Sequence, residues 1–170
     1  MITAQRRRTT REILNPSELL DRVPPFDYGA EKAVVGSLLV DDRHAKEVMA
    51  ILTPDDFHGL ATRTVYECMA ELFQKKKPID VLTVHECLQR SGRLPDSGGY
   101  AFFATLVNDT PIAAHARYYA EIVAAKSSTR DVIHLGLDLV RLGYLEMDTP
   151  EQLILKAATE IAKLRKRVTR

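Results

Sequence analysis

Past Val23-Pro24-Pro25, apolar residues recur at three- and four-residue steps, the period of helices that bury one face. Ala30, Val34 and Leu38 share a stripe beside Val35 and Leu39, and Asp27 is placed to cap the helix that carries them. Asp41-Asp42 breaks this run, and Ala45, Val48, Met49 and Leu52 begin another. Thr53-Pro54-Asp55-Asp56 reads as a stop followed by a new N-cap with proline at the first helical position. The helix it introduces sets Val65, Met69, Leu72 and Phe73 on its buried side and ends at Lys75-Lys76-Lys77-Pro78. Residues 79–84 alternate briefly enough to allow a strand, but Glu86, Leu88, Gln89 and Arg90 continue as helix, and helix is the reading adopted. Ser91-Gly92 and Ser97-Gly98-Gly99 flank a loop, after which Tyr100, Phe103, Leu106 and Val107 predict one more short helix before Thr110-Pro111.

The last third differs in kind. Residues 113–142 hold no proline and only Gly136 interrupts good helix formers, so one long helix is expected. A turn follows over 143–148, and Thr149-Pro150-Glu151-Gln152 has the form of a capping box with proline where no donor is needed. Beyond it, Ile154, Ala158, Ile161, Leu164 or Arg165, and Val168 keep close to the spacing of about 3.5 residues at which one helix packs on another. The fold class is therefore all-α: a compact multi-helix globular head over residues 23–112, then a long helical hairpin over 113–168. Two such helices cannot bury both apolar faces alone, so part of the stripe should meet the head or another subunit. Residues 1–22 are polar and arginine-rich and predict a flexible basic tail, with a short amphipathic turn around Leu14, Leu19 and Leu20.

Composition adds mainly exclusions. A chain of 170 residues with 45% hydrophobic content suits a soluble globular protein. Its net charge of +1 exerts no global pull on nucleic acid, although Arg6, Arg7, Arg8 and Arg11 crowd one end and Lys163, Arg165, Lys166, Arg167 and Arg170 the other. No stretch approaches the roughly 18 apolar residues of a membrane span, and the leading arginines precede no secretory signal. No GxxxxGK phosphate loop, GxGxxG or HExxH occurs, so neither ATP nor another nucleotide has its usual cradle. His44, His58, His85, His115 and His134 are scattered, and Cys87 beside His85 lacks two further ligands, so no metal site is expected. Cys68 and Cys87 read as buried small hydrophobes. The acidic residues form no isolated pair in an apolar setting and read as solvated helix faces, which leaves no catalytic residue.

A series of short blocks points further. Val23-Pro24-Pro25, Ala30-Glu31 and Val34-Val35-Gly36-Ser37-Leu38-Leu39-Val40-Asp41 come first, then Pro54-Asp55-Asp56-Phe57, Val65-Tyr66 and Pro78-Ile79-Asp80-Val81-Leu82-Thr83. Gly98-Gly99-Tyr100, Asn108-Asp109-Thr110-Pro111-Ile112-Ala113-Ala114 and Tyr118-Tyr119-Ala120-Glu121-Ile122-Val123 complete the order. Over residues 23–164 this resembles the N-terminal domain of bacterial replicative DNA helicases of the DnaB family. The chain departs from the family at His58, where a tyrosine is usual, and at Thr62, where a histidine is.

The resemblance implies an all-α domain whose hairpins pair, with six copies forming a collar, a trimer of dimers, over a motor ring. It implies that the chain has no cofactor of its own: ATP and magnesium belong to a RecA-like motor domain, as does any grip on single-stranded DNA through the ring. The whole protein would be an ATP-dependent DNA helicase acting in the cytoplasm at the replisome. It also implies partners, namely the C-terminal domain of primase and, in some bacteria, a helicase loader. The primase contact falls on Phe102, Arg130, Ile133 and Leu139, and an acidic contact of the family falls on Gly29. The plainer alternative makes Phe102, Ile133 and Leu139 core or dimer-interface residues. Two rival functions remain from the sequence: a free-standing collar-like regulator or loader-type protein, and a basic helical DNA-binding module using its arginine-rich ends.

Overall fold

The computed structural model describes residues 22–145 and 148–168, so all but the last residue of the expected tail over 1–22, residues 146–147 and residues 169–170 lie outside the described residues, while 143–145, expected as turn, continue the long helix. The described residues form seven α-helices, α1 Tyr28–Val40, α2 Ala45–Ile51, α3 Leu60–Gln74, α4 Val81–Arg90, α5 Gly99–Asn108, α6 Ala116–Leu145 and α7 Pro150–Val168, with a 3-10 turn in every connection except α3 to α4 and α6 to α7, and no strand occurs among them. The structure is all-α, as the periodicity predicts.

The central element is α1. Its start is fixed by Asp27, whose carboxylate accepts from the Ala30 amide at 2.9 Å. Nine of its residues, from Ala30 and Glu31 through Leu39, are buried, so the helix is enclosed on nearly all sides by α3, α5 and α6. Gly36 is where α5 comes closest, since a Cβ there would overlap Thr110 Oγ1 and the Leu106 carbonyl oxygen. Gly36→Ala should therefore lower stability by about 2 kcal/mol despite the better helix former, because backbone must shift to admit the methyl. Urea unfolding checks this, and a stabilised variant would contradict the close approach.

Asp41 ends α1 and turns the chain. It accepts from the Arg43 amide at 3.1 Å and from the Arg43 guanidinium at 2.8 and 2.6 Å. The guanidinium hydrogen bond holds its carboxyl down at about 2, against an ordinary value of 3.8. A depressed folded value means that the contact contributes above pH 4 and is lost as pH falls through about 2. Carboxyl-detected NMR should find the Asp41 midpoint near that value and find it back in the ordinary carboxylate range in Arg43→Ala.

Thr53 does not begin the next long helix. It closes a capping box on the 3-10 turn Pro54–Asp56, and α3 starts only at Leu60 behind Gly59. Val65, Met69 and Leu72 of α3 are buried as predicted, whereas Phe73 is exposed. Tyr66 is fully buried, its phenol pushed up by burial, and its hydroxyl donates to the Leu52 carbonyl at 3.1 Å. Residues 81–90 are helix, not strand, capped by Asp80, which accepts from the Thr83 amide at 2.8 Å. On α5, Phe103 and Leu106 enter the core while Tyr100 and Val107 stay exposed.

The first half of α6 completes the head by burying Ala116, Ala120 and Val123 against it. Beyond Arg130 no residue of α6 is buried, and α7 has none. The Thr149 box forms as predicted, the Thr149 amide donating to Gln152 Oε1 at 2.9 Å and the Gln152 amide to Thr149 Oγ1 at 3.4 Å.

Candidate docking face and the head–hairpin junction

The hairpin leaves most of its apolar surface uncovered. Of the packing seam read from the sequence, Ile154, Ala158, Ile161 and Val168 are exposed, whereas Leu164 is half-buried with Leu153 and Ala157 on the side of α7 turned toward α6. On α6 beyond Arg130 the exposed large apolar residues are Val132, Ile133, Leu137, Val140, Tyr144 and Leu145. Apolar positions spaced for helix packing but open to water on both helices are the mark of a surface meant to be covered. Between the helices lies an open cleft of about 640 Å³, floored by Leu135, Leu139, Leu142 and Leu164 and rimmed by charged side chains such as Asp131, Lys156 and Glu160.

The four residues that the family resemblance assigns to partner contact occupy different surroundings. Phe102 lies on α5, half-buried against the core and packed below Gly98. Ile133 is exposed on α6. Leu139 faces the cleft between the hairpin helices. Arg130 is buried, donating to the Pro25 carbonyl at 3.0 Å and to the Asp56 carbonyl at 2.5 Å. Because a helix turns about 100° per residue, Arg130 and Leu139 point to opposite sides of α6, with Ile133 between them. Of the three α6 positions, Ile133 is the one presented to solvent. Gly29, where the family carries an acidic contact, is exposed at the first turn of α1.

Two carboxylates contradict the expectation that the acidic residues only line solvated faces. Glu31 is 1% exposed and Asp56 2%. Glu31 accepts from the His58 amide at 2.8 Å, the Gly59 amide at 3.0 Å and the Thr62 hydroxyl at 2.6 Å. It thus caps α3 from α1, and Thr62, one of the two departures from the family pattern, supplies one of the three donors. His58, the other departure, stacks on Phe26 with ring centroids 4.6 Å apart. Asp56 accepts from the Thr53 amide at 2.7 Å and the Thr53 hydroxyl at 2.9 Å, and is paired with Arg167 of α7. No periodicity signals such long-range partners.

Cys68 and Cys87, distant in sequence, are neighbours between α3 and α4. Burial, and then the hydrogen bond with the Cys87 thiol, push Cys68 up to about 12. Arg93 tops the pair, reaching Cys68 Sγ at 3.4 Å and pairing with Glu71 at 2.5 Å and Glu67 at 2.9 Å. A thiol held protonated is a poor nucleophile, so its role there is packing. Among the described residues no group of three or more His, Cys, Asp or Glu is placed to hold a metal, and no helix is long and apolar enough to cross a membrane.

Residues 23–125 match the family described as DnaB-like helicase N terminal domain. The replicative DNA helicase DnaC of Bacillus subtilis (strain 168) is 32% identical over 149 residues, which cover 88% of this chain and 33% of that protein. The replicative DNA helicase DnaB of Mycobacterium leprae (strain TN) is 37% identical over 129 residues, 76% of this chain and 21% of that protein. The chain therefore spans about a third or less of the length of these relatives. Among solved structures, the N-terminal domain of DnaB helicase from Mycobacterium tuberculosis superimposes with a TM-score of 0.77 at 35% identity, covering 82% of this chain and 99% of that one. A structure of a DnaB-like replicative helicase and its interactions with primase shares the fold at a TM-score of 0.68 and 21% identity, covering 81% of this chain and 31% of that one. With the family match spanning well over half of its residues, the chain belongs to the DnaB-like helicase N-terminal domain family.

Proposed function

We propose that this chain is the assembly and partner-docking domain of a replicative DNA helicase. Its hairpins pair, the pairs close a hexameric collar as a trimer of dimers, and the collar receives the C-terminal domain of primase during DNA replication in the cytoplasm. ATP, magnesium and single-stranded DNA are handled by the motor ring of the whole protein, and a helicase loader is a further partner of the same collar. The observation that carries this reading is the uncovered apolar surface on both hairpin helices, from Val132 and Ile133 on α6 to Ile154, Ile161 and Val168 on α7. Each large aliphatic group withdrawn from water contributes roughly 1.5–3 kcal/mol, enough for a few of them to drive pairing. The head supplies rigid elements beside it, and docking primase there would raise its effective concentration near unwound strand without new chemistry.

The test has two arms. Light scattering should find self-association that Ile154→Asp with Ile161→Asp abolishes while helicity persists; a strict monomer at high micromolar concentration in the unsubstituted chain would remove the assembly reading. Ile133→Asp should weaken binding of the primase C-terminal domain roughly tenfold or more if that exposed position is a central contact. Unchanged affinity in a folded variant would return Ile133 to the pairing surface alone.

A further inference from the structure

One turn of the head is gripped by both helices of the hairpin. Arg130 of α6 donates to the Asp56 carbonyl at 2.5 Å, and Arg167 of α7 pairs with the Asp56 carboxylate. Arg167 also pairs with Asp131 of α6, and its guanidinium lies 3.3 Å from the Ser127 hydroxyl. The Asp56 side chain is held ready for this contact by the capping box, because its other oxygen already accepts from the Thr53 amide and hydroxyl.

The two grips differ in kind. Arg130 is buried and bonded to two backbone carbonyls, including that of Pro25 105 residues away in sequence, so it belongs to the permanent core. Arg167 is 40% exposed at its side chain and sits in the last turn of a helix that buries no residue. The position of α7 on the head is therefore held at this end by charge, on a group that water can reach, and not by apolar packing. A planar guanidinium can serve two carboxylates at once, which suits it to bridge the head and both hairpin helices. Asp56, nearly enclosed, keeps a strong need for that counter-charge. Such an ion pair can open without unfolding the core beneath it.

We propose that Asp56, Arg167 and Asp131 form a releasable latch that sets the tilt of the hairpin on the head, so that displacing the last turn of α7 changes the docking geometry of the domain. This rests on the docking reading given above. In the latched state, head and hairpin surfaces have one relation; unlatched, α7 is free to swing while the first half of α6 stays packed in the head. The partner then binds one arrangement better than the other, and the latch and the docking face are coupled.

The experiment measures distance and binding separately. Spin labels are placed through Gln89→Cys on the head and Ala162→Cys on α7, both exposed positions, while Cys68 and Cys87 stay buried. Labelled chain is diluted into unlabelled chain so that only distances within one molecule are read. Arg167→Ala should broaden or shift the distance distribution, Asp131→Asn should do so less because the Asp56 contact survives, and Arg167→Lys should fall between. The same Arg167→Ala variant should change primase-domain affinity by roughly fivefold or more, the usual scale of coupling between two sites. A distribution in Arg167→Ala identical to that of the parent overturns the latch. A changed distribution with unchanged affinity overturns the coupling. Failure of the unsubstituted chain to bind the primase C-terminal domain would instead sink the docking reading and leave the distance result standing. Helicity of each variant, measured alongside, shows that the head is intact.

Discussion

Replacing Glu31 with alanine is expected to destabilise the domain by about 3–5 kcal/mol, because the three donors that meet its buried carboxylate would lose their acceptor together. The His58 and Gly59 amides stand at the N-terminus of α3, where a helix has no partners of its own for its first N–H groups. An N-cap side chain bonds the N2 and N3 amides and would not reach these two, and position 59 has no room for one. A Cβ there would lie 2.7 Å from both Thr62 Oγ1 and a Tyr28 ring carbon. The acceptor therefore has to come from another helix, and Glu31 brings it from α1. Urea unfolding should show the midpoint falling with little change in slope, and Glu31→Gln should lie between the parent and the alanine variant, since the amide keeps one accepting oxygen. A loss below about 1 kcal/mol in Glu31→Ala would refute the capping role.

Arg130→Ala is expected to cost about 2–4 kcal/mol, since it removes two charge-assisted hydrogen bonds and leaves the carbonyls of Pro25 and Asp56 without their donors. The loss should be structural: thermal unfolding should move down by roughly 5–10 °C for a domain of this size. Arg130→Lys should recover only part of it, because one ammonium cannot span two separated carbonyls as a guanidinium does. The resemblance to the family places a primase contact at this position, and stability decides between the two roles. A residue acting through direct contact would lose partner binding with an unaltered unfolding midpoint, and that outcome would contradict the buried role. Loss of stability together with weakened binding would make Arg130 a positioning residue, acting through the segments it ties together.

Both residues show where sequence reasoning stopped. Glu31 was visible only as part of an ordered family block, and its partners lie 27 to 31 residues further along. Asp56 falls among the acidic residues that read as solvated helix faces, and the family resemblance makes Arg130 a primase contact; their burial depends on chain segments brought from 74 and 105 residues away. The Thr53 cap was correctly recognised as a cap, yet it closes a short 3-10 turn; nothing local indicates that α3 waits for Gly59 and a distant carboxylate. Similarly, the contact between Cys68 and Cys87 follows from the packing of α3 on α4, to which no spacing rule applies.

What the amino-acid order determined by itself was the all-helical class, most helix limits and the family. Asp27, the Thr149–Gln152 box, the lysines after α3 and the apolar repeats act over three or four residues, and their physics is complete within one turn of helix. Tertiary structure alone decided which charges are buried, that the regular seam of Ile154, Ile161 and Val168 faces outward, and that α7 is tied to the head through Arg167. Those outcomes depend on the direction in which each helix face is turned by its neighbours, and a periodic pattern states that a face is apolar without stating what covers it.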